Sequence, residues 1–170
     1  MSLKGLKQTS SMITISSGIV EGGPNQFTSE RVDLQLNALD NEVFVVLAID
    51  LDIVAPDLIA DQVTDTDVSV STVERTTIGG LSESNCLAHG YIKIESRSQG
   101  AVALQYSSSD TPHAMLDYIG IISTNDYYIN IQGNNNLVGK AANARVWGYR
   151  ARATDPSVYA ALVQSELLSQ

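Results

Sequence analysis

The chain has 170 residues, 44% of them hydrophobic and 17% charged, a length and balance that allow one folded domain with its own core and exclude disorder. Ten Lys and Arg against nineteen Asp and Glu leave a net charge of -9, which argues against wholesale wrapping of nucleic acid, because polyanions bind by releasing counterions to clustered cations, and leaves open only a local basic patch on an acidic protein. One cysteine, Cys86, excludes an internal disulfide framework and any multi-cysteine zinc site.

Residues 1–11 are polar with scattered Leu and Lys; they predict an arm that is loose in the monomer, with no signal peptide because no apolar core follows the lysines. Short apolar or alternating runs separated by Gly, Asn, Asp and Ser then recur through residues 12–153, the punctuation of an all-β domain. Met12–Ser16 is a first strand, ended by the turn residues Glu21 to Asn25. Arg31–Asn37 alternates, with Val32, Leu34 and Leu36 on one face.

The run Glu42–Val54 is continuously apolar from Val43 to Leu47, then alternates as Ile49, Leu51 and Ile53 against Asp50 and Asp52. Its first half is expected to be buried on both faces and its second half on one. Pro56–Ala60 predicts a short helical turn, and Asp67–Thr76 resumes alternation.

Further strands are predicted at Cys86–Ala88, Tyr91–Ile94, Ala101–Tyr106, Tyr118–Ile122, Tyr127–Gln132 and Ala144–Ala153. The last sets Arg145, Trp147, Tyr149 and Ala151 on one face. Ser98-Gln99-Gly100 and Thr124-Asn125-Asp126 suit hairpin connections, since Gly and Asn accept positive φ. At Thr154-Asp155-Pro156 the pattern changes to a capped helix over residues 154–170, with Pro in the first turn, where its missing N–H has no partner to lose. Eight to ten strands and one terminal helix predict a β-sandwich, jelly-roll or another Greek key.

Several residue groups invite chemistry. Asp50, Asp52, Asp57, Asp61, Asp65 and Asp67 offer the oxygen ligands calcium takes, with Asp50, Asp52, Asp65 and Asp67 the best candidates, but the EF-hand spacing is absent and a solvated strand face explains them as well. Cys86 and His89 are a conceivable thiolate pair; Cys is as often a small buried hydrophobe. His113 is the other imidazole. No residue set meets the requirements of a catalytic site. Tyr127, Trp147 and Tyr149 are candidates for a stacking platform, with core and interface packing as the plainer reading. Arg145, Arg150 and Arg152 lie in the same segment, and aromatics beside Arg describe protein–protein contacts too.

The polar arm, the strand segment Glu42-Val43-Phe44-Val45-Val46-Leu47-Ala48-Ile49-Asp50-Leu51-Asp52 and the tail Ala144-Arg145-Val146-Trp147-Gly148-Tyr149-Arg150-Ala151 running into Tyr159-Ala160-Ala161-Leu162 resemble small virion structural proteins of uncultured viruses. The resemblance implies a capsid or capsid-associated subunit with a jelly-roll-like sandwich, repeated in a shell, found in the virion and assembled in the host cytoplasm. Its partners would be copies of itself and other virion proteins. The departure is charge: only Lys4 and Lys7 precede Arg31, so genome packaging by the arm is not implied, whereas a decoration or tail role is compatible.

The leading expectation is therefore a self-assembling structural protein, not an enzyme, with no membrane partner and no cofactor beyond the calcium alternative. Leu3 and Leu6 of the arm, Arg145, Arg150 and Arg152, and Tyr159 and Leu162 of the helix are the expected interface residues. The alternatives are a carbohydrate- or ligand-binding sandwich using the aromatic group, with or without calcium, and a small hydrolase built on Cys86 or His89.

Overall fold

Period-two alternation of apolar side chains produces ten antiparallel strands: β1 (Leu6–Gln8), β2 (Ile13–Val20), β3 (Thr28–Asp33), β4 (Glu42–Ile53), β5 (Val63–Ser71), β6 (Cys86–Arg97), β7 (Gly100–Ser107), β8 (Gly120–Ile122), β9 (Asp126–Asn134) and β10 (Ala141–Ala153). Among the described residues there is one α-helix, α1 (Pro156–Leu168), which follows β10, and one 3-10 turn at Ala38–Asp40. This computed structural model describes residues 3–107 and 117–168.

The strands form two sheets of five. In sheet A, β10 is central, flanked by β4 and then β8 on one side and by β2 and β1 in succession on the other. Sheet B runs β3-β9-β5-β6-β7. The pairings nest: β2 with β10, β3 with β9, β4 with β8, β5 with β6. That is a long hairpin rolled into a sandwich, the arrangement of a jelly roll. β1 and β7 stand outside the eight-strand roll, each continuing a sheet.

Phe44, Val46 and Ile49 of β4, Val68 and Val70 of β5, Tyr127, Ile129 and Ile131 of β9, and Ala142, Ala144 and Val146 of β10 fill the space between the sheets. A bulge explains the continuous apolar run in β4. Trp147 pairs with Ala48 but Gly148 pairs with Val46, leaving Leu47 as the extra residue. Before the bulge Phe44 and Val46 face the core, and after it Ile49, Leu51 and Ile53 do. Val43, Val45 and Leu47 therefore turn to the other face of sheet A, where they meet α1 through Val158, Tyr159 and Leu162. Both faces of this half-strand are covered, as expected; Asp50, beyond the bulge, is exposed. Helix α1 begins as expected too: Asp155 Oδ1 accepts the Ser157 N–H at 2.8 Å, occupying a donor that the first turn leaves free.

Four expectations are corrected. Residues 3–11 are not a loose arm: β1 pairs with β10 from Leu6↔Ala153 to Gln8↔Ala151, and Leu6 is buried beside Val43, Ala151 and Ala153. The second strand ends at Asp33, where the Asp33 carboxylate accepts the Gln35 N–H and Gln35 takes φ 51°, although Leu34 and Leu36 still reach the core. Pro56–Ala60 forms no helical turn, because the Asp57 N–H and carboxylate bond to the 136–140 segment instead. Cys86–Ala88 and Tyr91–Ile94 join in one strand; Gly90 lies under Ile53 and Leu51, where a Cβ would be 3.2–3.3 Å from both.

Because Leu6 ties the N-terminal segment down, Leu6→Ala should cost roughly 2–3 kcal/mol, in the lower part of the range for burying less aliphatic volume, measured as a fall in the urea midpoint. A midpoint within error of wild type would mean that β1 contributes little to the fold.

Candidate functional site

Outward-facing residues of β2, β10 and β4 line up across sheet A in rows set by the ladder: Gly18–Asn143–Asp52, then Ser16–Arg145–Asp50, then Thr14–Trp147–Ala48. Glycine at position 18 leaves the first row hollow, with Asn143 Oδ1 lying over it. The result is an open polar groove of about 530 Å³ lined by Ser16, Gly18, Asp50, Asp52, Asn143 and Arg145. Asn143 Nδ2 donates to Asp52 at 3.3 Å and Arg145 Nε to Ser16 Oγ at 3.3 Å. The Arg145 guanidinium sits 5.9 Å from the Trp147 ring centroid, a cation–π arrangement.

The expected aromatic platform is not brought together. Tyr127 shares the inner face of β9 with Ile129 and Ile131 and is fully buried. Tyr149 packs toward α1, and Trp147 alone borders the groove. The four aspartates are divided as well, Asp50 and Asp52 on the outer face of sheet A and Asp65 and Asp67 on the outer face of sheet B. Among the described residues no three His, Cys, Asp or Glu side chains gather as a metal site would need.

Cys86 and His89 do not form a thiolate pair. The Cys86 thiol donates to the carbonyls of Ala88 at 3.3 Å and Gly79 at 3.6 Å, and burial pushes it up, away from the reactive thiolate. His113 lies outside the described residues. His89 instead belongs to a group that sequence reading missed, on the outer face of sheet B. Its Nε2 is 3.9 Å from Asp67 Oδ1, and its ring lies 6.0 Å from Tyr91 and 6.3 Å from Tyr106. Tyr91 and Tyr106 stack at 5.6 Å. Burial, then the neighbouring Asp65, pushes Asp67 up to about 6. The signal was the hairpin connection at 98–100, whose short turn sets Tyr91 opposite Tyr106.

The expected interface residues are largely occupied within the chain. Leu3, Leu6, Tyr159 and Leu162 pack on one another's elements over the outer face of sheet A. Arg150 donates to the carbonyls of Leu34 at 3.0 Å and Gln35 at 3.4 Å and pairs with Glu42 at 3.6 Å. Arg152 pairs with Asp40 at 3.4 Å. Alternation along β10 sets Arg145 on the opposite face from Arg150 and Arg152, so the three do not make one basic patch.

At one end of the sandwich a polar network ties three loops together. Glu21 is buried, with Oε1 accepting the Gly133 N–H at 2.6 Å and Oε2 the Lys140 N–H at 2.7 Å. The buried Lys140 ammonium donates to Asp57 Oδ1 at 2.6 Å, and Asp57 Oδ2 accepts the Leu137 N–H at 2.8 Å. Asn25 and Asn136 exchange hydrogen bonds at 2.8 and 2.9 Å. Every charge here is met within the chain, which makes this a brace, not a ligand site.

No family model and no curated protein matches the sequence. Among solved structures, VP1 of Trichodysplasia spinulosa-associated polyomavirus aligns at 6% identity over 85% of this chain and 97% of that one, with a TM-score of 0.41. A structure of Desmodium yellow mottle tymovirus aligns at 10% identity over 86% and 91%, with a TM-score of 0.33. Among the described residues, no helix is long and apolar enough to cross a membrane.

Proposed function

We propose that this chain is a structural subunit that assembles with copies of itself, a coat or coat-associated protein of a virion. The observation that carries the reading is where exposed apolar side chains collect. Scattered surface hydrophobics are ordinary; gathered ones mark contact surfaces. Leu137 is 74% exposed and Leu58 67%, and Val20, Val54 and Val138 are exposed beside them at the end of the sandwich where β10 begins. The ladder and loop bonds hold these residues near one another: Val20 pairs with Ala141, the Val54 N–H bonds the Ala141 carbonyl, and Asp57 accepts from Leu137 and Val138.

The braced network beneath them presents this apolar collar on a fixed backbone, so a partner need not order it on binding. The roll supplies a block that can present its ends and edges to neighbours, and the resemblance to virion structural proteins agrees with that use. The sheet A groove is polar and open, and the described residues assign it no reaction.

Light scattering on a sizing column, followed by electron microscopy of the same fraction, tests the proposal. The expected result is a mass of many multiples of 18.2 kDa with closed particles or rings. A monomer at every concentration would remove the reading.

A further inference from the structure

Strand β7 stands outside the jelly roll and extends sheet B past the last strand of the roll. Ala101 through Tyr106 are exposed, those pointing inward as well as those pointing outward. Among the described residues its ladder bonds run to β6 alone, and no described strand pairs with the far edge of its backbone. Unpaired edges are templates for another strand, and chains usually blunt them with charge, brevity or a bulge. The edge strand β3 carries Glu30, Arg31 and Asp33, and β8 has three residues. β7 has eight residues, Gly-Ala-Val-Ala-Leu-Gln-Tyr-Ser, without a charge or a proline. Val102, Leu104 and Tyr106, 59%, 46% and 39% exposed, share its outer face, and Tyr106 is steadied by its stack on Tyr91.

We propose that β7 is an edge along which two copies of this chain join, antiparallel to itself about a two-fold axis, fusing two copies of sheet B into one continuous sheet. The inference rests on the self-assembly reading and names one of its surfaces. A second copy is the occupant that the charges favour. The chain carries -9, so most of its surface repels another copy, whereas a neutral strand set against itself opposes no like charges. With Leu104 on the axis, Val102 of each copy lies opposite Tyr106 of the other and Ala103 opposite Gln105. Those are a β-branched–aromatic pair and a neutral pair, both suited to cross-strand contact. The terminal segments offer less apolar surface, since Leu6 is buried and Leu3, Tyr159 and Leu162 are partly buried against it.

The test is sedimentation velocity on the full chain over a concentration series, for wild type and Leu104→Lys, with circular dichroism to show that the exposed substitution leaves the fold unchanged. The expected result is association weakened at least roughly tenfold, equivalent to about 1.4 kcal/mol. In a Cys86→Ser background, Leu104→Cys should form a disulfide-linked dimer under mild oxidation, because the axis brings the two side chains within about 5 Å at Cβ. Leu39→Cys, at a 96% exposed position in the 3-10 turn Ala38–Asp40, should not. Unchanged association of Leu104→Lys, or no linked dimer from Leu104→Cys, overturns the β7 pairing while leaving self-assembly through other surfaces intact. A wild type that stays monomeric throughout overturns both.

Discussion

Gly148→Ala should destabilise the sandwich by about 3 kcal/mol or more, at the top of the range for overfilling a packed core. Gly148 faces inward from β10 at the point where β4 bulges. A Cβ there would fall on the carbonyl oxygen of Val45 and lie 2.5 and 2.7 Å from Phe44 Cε1 and Cζ. None of these atoms can easily withdraw. Val45 belongs to the β4–β10 ladder, and Phe44 is fully buried among core side chains. The requirement is one of space, because Gly148 does not adopt a positive φ. Gly80→Ala is the control: nothing lies within 4 Å of the added carbon there. In thermal melts the Gly148 variant should lose roughly 6–12 °C, at about 2–4 °C per kcal/mol for a chain of this size, and the Gly80 variant almost nothing. Equal melting temperatures would show that the bulge relaxes to admit the methyl group.

The same position shows what could be read from the residues and what could not. Local periodicity located β4, β9 and β10 and the cap of α1, because alternation and capping are properties of neighbouring residues. The continuous apolar run Val43–Leu47 signals cover on both faces, yet what covers it, a helix more than a hundred residues later in the chain, has no local signature. The nested pairing of the roll is likewise long-range, and a sandwich was as far as patterning reached. Alternation sets Leu34 and Leu36 on one face of a strand; both reach the core, but through a left-handed residue at Gln35 and not through a longer strand. The candidate site residues fared less well. Tyr127, Trp147 and Tyr149 are near in sequence or alike in type, but Tyr127 points into the core from β9, while Trp147 and Tyr149 share the outer face of β10 and lie at different heights along it, one beside the groove and one under α1. The aspartates look like one acidic segment, and the crossover from β4 to β5 carries them to opposite faces. Apolar patches on β7 and the loop end were not foreseen, since exposure depends on which strand ends up opposite which.

Asp57→Asn should cost about 1–3 kcal/mol, less than breaking a fully buried ion pair because the Asp57 side chain is a quarter exposed. Lys140 is the reason: its side chain is 6% exposed, and its ammonium donates to Asp57 Oδ1 at 2.6 Å. The neutral amide still accepts one hydrogen bond but leaves a buried cation uncompensated, and it weakens acceptance from the Leu137 and Val138 N–H groups. Asp57→Leu combined with Lys140→Met should recover most of the loss, since two apolar groups leave no buried charge to solvate. The pH dependence has a definite sign. The hydrogen bond from Lys140, followed by those from the backbone, holds the Asp57 carboxyl below its ordinary value of 3.8. A depressed folded value means that the carboxylate's contribution is fully present above the unfolded value and is lost as pH falls toward and through the folded one. Wild type should therefore lose stability below about pH 4 more steeply than Asp57→Asn, in which this titration is absent. Urea midpoints at pH 7, 4 and 3 measure the difference, and a constant gap between the two proteins at all three would mean that Asp57 titrates no differently folded than unfolded. The loop end also presents Leu58, Leu137 and Val138, so the Asn variant should assemble poorly even at pH 7, where most of it remains folded. Loss of stability with assembly intact would separate the brace from the apolar collar it supports.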